Sequence, residues 1–357
     1  MKERHFFAGN NTAEGFFSYF DYIMNLEEAN HYYILKGGPG VGKSSFMKKF
    51  ASNMASLGHA IEYVHCSSDR ESYDAIVVPA LKIGFVDGTA PHTIDPKYPG
   101  AVDEIINLGF FFDGSKIVDH KKEVIQASKE KTQTYKSAYR YLAAASLILE
   151  DVNWVYDTLT DDLKFYRICE EVINDLLQKE AQSRQKEELG YIRKLFSESY
   201  TADGYISFTD SLCAETKVWA VNGKNINYVS KLMDEVTKKA LLNGLDVECF
   251  YRPLTPNKIQ HLFLPELNLM IRSVEDDIKG NFDRLIDLNK IMDTTVLKGQ
   301  LSIIQSKEKE YETLVNMALD KLSQTKKLHD RLEKIYVDSM DFNGVNQYFD
   351  TILAKYK

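Results

Sequence analysis

The sequence predicts an α/β protein made of two tandem three-layer α/β/α units, each with a long helical elaboration. Three observations predict this class. A glycine-rich loop lies between an apolar strand and a helix-forming stretch, the same pattern of elements recurs later in the chain, and each occurrence is followed by a long helical segment. The chain has 357 residues, more than one ordinary domain holds. We therefore predict domains at 1–190 and 191–357.

The composition excludes several classes of protein. Hydrophobic residues make up 44% and charged residues 27%, which is typical of a folded globular chain. A net charge of -8 argues against a broad nucleic-acid-binding surface, and no apolar run is long enough for a membrane span. The start, "MKERHFFAGNN", has no signal-peptide core, and the four cysteines show no CxxC spacing. We therefore expect a cytoplasmic protein with neither nucleic-acid nor membrane partners.

The first elements of each unit have the same pattern. Residues 4–23 and 193–212, which lie 189 positions apart (193 minus 4), are identical at seven of 20 positions. Both are interpreted as a short strand, a turn and an amphipathic helix that begins near Thr12 or Thr201. The similarity continues with a shift of 186 and predicts a tandem repeat.

The strongest motif is "YYILKGGPGVGKSSFMKKF", at residues 32–50. An apolar strand precedes its G-x-x-x-x-G-K-S pattern and a helix-forming stretch follows, the context in which this pattern binds phosphate. Glycines let backbone amides surround phosphate oxygens at the positive end of a helix. The residues predicted to contact a nucleotide are Gly37, Gly38, Pro39, Gly40, Val41, Gly42, Lys43, Ser44 and Ser45.

The next two strands complete the predicted site. "IEYVHC" is one strand, and "LKIGFVDG" is a buried strand that ends in Asp87. Lys43 is expected to reach the β and γ phosphates, and Ser44 and Asp87 are expected to hold Mg²⁺. We therefore predict ATP and Mg²⁺ as cofactors, with Lys43 and Asp87 in catalytic roles. ATP is favoured over GTP because no guanine-specific N-K-x-D run occurs in the expected region.

These residues resemble those of P-loop NTPases. The segments "HCSSD" and "VDGTAPHTIDPKYPGAVDE" are also similar to a little-characterised bacterial family of duplicated P-loop proteins, described as ATPases or nucleotide-kinase-like proteins. This resemblance spans most of the chain. It implies two P-loop NTPase-like units and says little about the substrate.

The residue that would activate water is not identified by the motif. Many ATPases have a glutamate after the acidic strand, but Gly88 follows Asp87 here. The candidates nearby are Asp69, His92 and Glu104. Three functions therefore stay open: Mg²⁺-dependent ATP hydrolysis, phosphoryl transfer to a small molecule or nucleotide, and a nucleotide-loaded interaction module with negligible turnover.

The second unit lacks the motif. In its sequence the positions of Gly40, Gly42, Lys43 and Asp87 hold Ile226, Tyr228, Val229 and Ser273. Forcing residues other than glycine into the left-handed region would cost about 1–2 kcal/mol each. We therefore predict one nucleotide site per chain, in the first unit, and a degenerate repeat in the second.

The segments after these strands also differ. "GTAPHTIDPKYPG" follows Asp87 and contains three prolines, which predicts ordered irregular structure. Its expected role is that of a lid or substrate contact, with packing between the two units as the alternative. The second unit is expected to pass almost directly from Arg272 into a helix.

Apolar residues in steps of three and four then predict long antiparallel helical hairpins, packed on each other or on a protein partner. They are Tyr135, Ala138, Leu142, Ala145, Leu149, Val152 and Tyr156, then Tyr311, Val315, Ala318, Leu322, Leu332 and Tyr336, with Thr325 and His329 in the same stripe.

Overall fold

The computed structural model describes residues 3–180, 188–274 and 281–356 and confirms the α/β class. We call residues 3–180 the first half and residues 188–356 the second half. The strands of the first half are β1 (Glu3–Phe6), β2 (Gly9–Thr12), β3 (Gly15–Ser18), β4 (His31–Lys36), β5 (Ile61–His65), β6 (Tyr73–Val78), β7 (Ile83–Asp87) and β8 (Asp103–Asn107). Its helices are α1 (Lys43–Ser56), α2 (Gly114–Asp119), α3 (Lys121–Leu159) and α4 (Asp162–Glu180).

The second half repeats this order of strands. They are β9 (Ile192–Leu195), β10 (Glu198–Thr201), β11 (Gly204–Ser207), β12 (Lys217–Asn222), β13 (Val247–Tyr251), β14 (Ile259–Leu264), β15 (Leu269–Val274) and β16 (Arg284–Asp287). The helices are α5 (Thr209–Cys213), α6 (Ile226–Leu242), α7 (Thr294–Val337) and α8 (Phe342–Leu353). Within the described ranges, no helix is long and apolar enough to cross a membrane.

Each half forms a six-stranded mixed sheet with the same strand order. The first is β1-β5-β6-β7-β4-β8 and the second, read from the same edge, is β9-β13-β14-β15-β12-β16. Among the described strands of these two sheets, β6 and β14 are the ones that run antiparallel to their neighbours. Leu35 pairs with Asp87 and Val221 with Ser273, so both partners differ by 186 (221 minus 35, 273 minus 87). The register therefore places Ser273 at the position of Asp87, as the alignment predicted.

The helices predicted near Thr12 and Thr201 are wrong: β-hairpins occupy these positions. The Thr12 hydroxyl accepts a hydrogen bond from the Glu14 amide and donates one to the Gly15 carbonyl, and Gly15 has φ +105°. Thr201 does the same with Asp203 and Gly204. A hydroxyl bonded to its own loop with a left-handed glycine closes a tight turn, and the same residue types also resemble a helix start.

The predicted three-layer arrangement of each unit is also wrong, because the two sheets face each other. Their inner faces share one apolar cluster that contains Ile34 and Val86 of the first sheet and Phe250 and Met270 of the second. Longer helices cover the outer faces, with α1 and α8 on the first sheet and α4 and α6 on the second, whereas the short α5 contributes Leu212 to the inner cluster. The molecule thus has helices outside and two sheets inside.

The long helices also pair differently from the expected hairpins within each unit. α3 and α7 come from different halves and run antiparallel, since Glu123 meets Arg331 and Asp151 meets Lys307. Their buried seam includes Ala138, Leu142, Ala318 and Leu322, as the stripes predicted. The helix after each long helix then packs on the sheet of the opposite half: α4 on the second sheet and α8 on the first.

The segment after Arg272 is not helical in its described part. β15 continues to Val274, and β16 follows at Arg284–Asp287, although residues 275–280 lie outside the described ranges. β7 and β8 are separated by 15 residues (103 minus 87 minus 1), and β15 and β16 by nine (284 minus 274 minus 1). Both halves therefore have a connection here, and the one in the first half is longer.

Four charged residues meet where the sheets face each other. Arg4 donates to Glu62 and Glu248, and Arg193 donates to the same two carboxylates. Arg193 and Arg4 differ by 189 positions and Glu248 and Glu62 by 186, so the cluster is nearly symmetric between the halves. A buried pair needs such additional hydrogen bonds to offset the cost of desolvation.

Candidate functional site

The glycine-rich loop connects the end of β4 to the start of α1. Three of its residues adopt left-handed backbone conformations: Gly37 with φ +146°, Gly40 with φ +72° and Gly42 with φ +90°. Only glycine takes these conformations without strain. A Cβ at Gly37 would also lie 2.8 Å from a methyl group of Val41. The loop therefore depends on these glycines for its shape.

The N-terminus of α1 presents backbone amides that the protein does not use. Gly42 is the N-cap and has no side chain to accept from them. Within the described residues, the amides of residues 40–45 donate to no protein acceptor. The first amides of a helix and its dipole together favour an anion.

Lys43 is the cation of this loop. Its ammonium is buried and donates hydrogen bonds to the carbonyls of Gly37 and Gly38, both at 2.9 Å. It lies 3.5 Å from Asp87 Oδ2 at the end of β7. The structure thus brings together the predicted lysine, the predicted carboxylate and the loop.

Asp87 and Ser44 are the predicted ligands of Mg²⁺. Asp87 Oδ1 accepts from the amide and hydroxyl of Thr89, at 2.9 and 2.5 Å, and Ser44 Oγ accepts from the Tyr73 amide at 3.0 Å. The described residues contain no group of three or more His, Cys, Asp or Glu side chains that could hold a metal ion. Mg²⁺ beside a phosphate needs only one or two protein oxygens, because phosphate and water supply the rest. A carboxylate and a hydroxyl fit that requirement.

His92 lies in the segment after β7 but is occupied by other contacts. Its Nε2 is 3.5 Å from Asp74 Oδ1, and its ring stacks on Phe20 at 4.3 Å. Burial lowers the pKa of His92, but Asp74 and Asp87 outweigh it and leave the pKa raised. The segment is itself held in place, since Lys36 Nζ donates to the carbonyls of Gly88 and Ile94 at 2.9 and 2.5 Å.

Asp69 and Glu104, the other candidates for a base, have different positions. The Asp69 carboxylate accepts from Ser72 Oγ at 2.7 Å and lies 3.4 Å from Lys326 Nζ. Burial raises the pKa of Asp69, but the Ser72 hydroxyl and Lys326 outweigh it and hold the pKa below its ordinary value.

The structure does not bring Glu104 to the loop. Glu104 pairs with Tyr33 in the sheet, four residues before Gly37. Four residues of strand span about 13 Å. Its carboxylate lies 3.2 Å from His31 and 3.6 Å from Lys355, towards the opposite end of β4.

Sequence reasoning missed the end of α7, which packs on the loop. A Cβ at Gly40 would lie 2.6 Å from the carbonyl oxygen of Glu333 and 3.0 Å from Val337, and one at Gly38 would lie 3.0 Å from Tyr336. Tyr336 belongs to the apolar stripe recognised in the sequence, but its partner lies about 300 positions away along the chain. Gly40 is therefore required for close approach as well as for its backbone conformation.

The side chain of Glu333 lies against the loop, with its Cγ 3.0 Å from the position of a Cβ at Gly40. Burial raises the pKa of Glu333, neighbouring Asp69 and Asp330 raise it further, and Lys326 and Lys43 oppose the shift. Within the described residues, this carboxylate forms no hydrogen bond or ion pair.

The second half has a different arrangement at the same place. α6 begins at Ile226, three residues before the position equivalent to Lys43 (229 minus 226). The Asn225 side chain accepts from the amides of Asn227 and Tyr228, and Asn153 Oδ1 of α3 accepts from the Ile226 amide at 3.0 Å. Ile226 and Tyr228 are helical, so the predicted left-handed strain does not arise.

A separate cavity of about 390 Å³ lies between α2 and α7. Its lining includes Arg331, Lys334 and Asp338, whereas Glu333 and Tyr336 contact the loop. At 3.6 residues per turn these two sets lie on opposite faces of α7. The lining carries three basic side chains, Lys116, Arg331 and Lys334, and three acidic ones, Asp119, Glu123 and Asp338. The cavity is therefore separate from the glycine-rich loop and has no excess of either charge.

Comparisons were made with protein-family models, with curated proteins and with solved structures, and nothing matches the chain.

Proposed function

We propose that the first half binds ATP with Mg²⁺ and hydrolyses it, and that each chain has one such site. The observation that carries this proposal is the buried ammonium of Lys43, held between the loop carbonyls and 3.5 Å from Asp87. A buried cation beside unbonded helix amides suits a polyphosphate. We also propose that the halves are two copies of a P-loop NTPase-like unit, supported by their common strand order.

Each residue has a distinct role in this proposal. The amides of residues 40–45 bind the phosphate oxygens, and Lys43 exchanges its carbonyl partners for the β and γ phosphates. Ser44 and Asp87 would hold Mg²⁺, which offsets charge on the phosphates when bound. We place the activity in the cytoplasm, a proposal that the four free cysteines support.

Titration calorimetry with ATP and Mg²⁺ tests the proposal. The expected stoichiometry is one nucleotide per chain. Lys43→Ala should weaken binding at least 100-fold, since it removes charge-assisted hydrogen bonds worth roughly 1.5–3 kcal/mol each. The matched control is Val229→Ala at the equivalent position, which should bind normally provided that a thermal melt shows it folded. Two sites per chain, or tight binding in Lys43→Ala, would contradict the proposal.

Phosphoryl transfer to a small molecule or nucleotide is a second candidate. Residues 88–102 favour it, because this segment begins next to Asp87, is longer than its counterpart and is held by Lys36. ADP formation only with an added acceptor would support transfer, whereas phosphate release without one supports hydrolysis. Tight binding with neither would support a nucleotide-loaded interaction module, with the surface of α3 and α7 as the proposed site for a protein partner.

A further inference from the structure

Pseudo-symmetry identifies the counterpart of Glu333. The Asp161 amide donates to the Ile291 carbonyl, and the Asp341 amide donates to the Phe111 carbonyl. The two donors, Asp161 and Asp341, lie 180 positions apart (341 minus 161), and so do the two acceptors, Phe111 and Ile291 (291 minus 111). With this shift, Glu333 of α7 corresponds to Asn153 of α3 (333 minus 153). Each therefore comes from the long helix of one half. Glu333 reaches the loop before α1, and Asn153 reaches the start of α6.

The two side chains differ in what they do there. Asn153 is fully engaged, since its Oδ1 accepts from the Ile226 amide and its Nδ2 donates to the Leu149 carbonyl. Glu333 stands over a loop whose amides are unbonded, and its own carboxylate has no hydrogen bond or ion pair among the described residues. A carboxylate that is half-buried without a partner costs stability. Such a group, packed against a loop with unbonded amides, suits a chemical role better than a packing role.

The other candidate bases are less suited. His92 faces Asp74 through Nε2 and stacks on Phe20, and although its Nδ1 has no hydrogen-bond partner within the described residues, that nitrogen is buried; Asp69 is engaged by Ser72 and Lys326. Glu333 keeps both oxygens available to accept a proton, and its raised pKa brings it closer to neutral pH than an ordinary glutamate.

We propose that Glu333, supplied by the second half, is the general base of the ATP site in the first half. The inference rests on the proposed function. The Glu333 carboxylate accepts a proton from a water molecule as the water oxygen forms a bond to the γ-phosphorus. The bond between that phosphorus and the bridging oxygen breaks, and ADP leaves with the electron pair. The proton then passes from Glu333 to the released phosphate or to solvent.

Single-turnover hydrolysis of ATP by Glu333→Gln tests this role in the full chain. The rate should fall at least about 100-fold, the usual contribution of a general base, while calorimetry shows affinity for Mg²⁺-ATP within threefold of wild type. The wild-type rate should decrease as pH falls through the pKa of Glu333, and this dependence should disappear in the variant. Glu308→Gln, an exposed carboxylate further along α7, is the matched control and should hydrolyse normally.

Glu333→Asp provides a second arm that keeps the charge. Its carboxylate is withdrawn by one methylene, so the rate should fall less than in Glu333→Gln and the dependence on pH should remain. Normal hydrolysis by Glu333→Gln with normal binding would overturn the role of Glu333 and leave the nucleotide site intact. If the wild-type protein bound no Mg²⁺-ATP, the proposed function would fail, and the inference with it.

Discussion

The N-termini of α1 and α6 occupy equivalent places in two similar sheets, yet one is open and the other is closed by the protein. At α1 the chain turns through three left-handed glycines, and the amides of residues 40–45 have no acceptor in the part of the chain that the structure describes. At α6 the helix starts three residues earlier, and Asn225 and Asn153 accept from its first amides. The comparison shows that equivalent stretches of two similar folds form an open glycine-rich loop in one half and the first turn of a helix in the other.

The same comparison applies to the long helices. In both halves a long helix from the opposite half reaches the N-terminus of the helix that follows the glycine-rich loop or its counterpart. α7 reaches α1, and α3 reaches α6. In the second half it brings Asn153, whose side chain forms hydrogen bonds, and in the first half it brings Glu333, whose carboxylate forms none within the described residues. The two halves therefore share this arrangement of helices, but the side chain that reaches the N-terminus is an unbonded carboxylate at α1 and a hydrogen-bonded amide at α6.

The largest expected effect is at the place where the halves are alike, the cluster of Arg4, Arg193, Glu62 and Glu248. Glu62→Gln and Glu248→Gln should each lower the free energy of unfolding by about 3–5 kcal/mol, because each leaves two buried guanidinium groups undercompensated. Urea unfolding should give similar losses, since both carboxylates accept from both arginines. A loss in only one variant would show that the cluster is not functionally symmetric.

The pH dependence of stability should sharpen this result. Burial raises the pKa of Glu248, but Arg4 and Arg193 outweigh it and lower the pKa from 4.5 to about 2. A carboxylate with a lowered pKa stabilises the fold above its ordinary pKa, so this contribution should be lost as pH falls from 4.5 towards 2. Urea unfolding at pH 7 and at pH 3 should show a smaller decrease in Glu248→Gln than in wild type. An equal decrease would assign the acid sensitivity to other groups.

The next largest loss of stability is expected at the contact between Gly40 of the loop and Glu333 of α7. Gly40→Ala should cost roughly 2–4 kcal/mol of folding stability, since the new Cβ combines left-handed strain with overlap on the Glu333 carbonyl. Gly58→Ala is a matched control with φ +89° and nothing within 4 Å of a new Cβ. Its loss should be limited to the strain. If urea unfolding gave equal losses for Gly40→Ala and Gly58→Ala, then α7 would shift away from the new Cβ at no cost in free energy.

The smallest effects should differ between the two halves, with a loss of stability at Asn153 and none at Glu333. Asn153→Ala should lower the free energy of unfolding by about 1–2 kcal/mol, because it removes the acceptor of the Ile226 amide. Glu333→Gln should lose no stability at pH 7, since burial raises the pKa of Glu333 and disfavours its charged form in the folded protein. Thermal unfolding of both variants decides the matter. A clear loss in Glu333→Gln would reveal a structural role for its charge.

Local sequence was sufficient for much of the candidate site. β4, α1, β5 and β7 lie where the apolar runs predicted them, and Lys43 and Asp87 meet as the motif implied. These elements depend on short-range patterns, namely apolar runs and glycines that allow positive φ. Local pattern failed at Thr12, because the same hydroxyl can start a helix or close a hairpin turn. The domain boundary at 190 and the nucleotide itself stay predictions.

The sequence by itself determined the α/β class, the register that matches Asp87 with Ser273, the glycine-rich loop and the apolar stripes of α3 and α7. Only the tertiary structure decided which stripes pair, that α4 and α8 pack on the opposite sheets, and that Glu333 lies against Gly40. The physical reason is the range of the interactions. A backbone conformation or an apolar period is set by neighbouring residues, whereas the Glu333–Gly40 contact joins residues 293 positions apart (333 minus 40) and depends on how the two sheets pack.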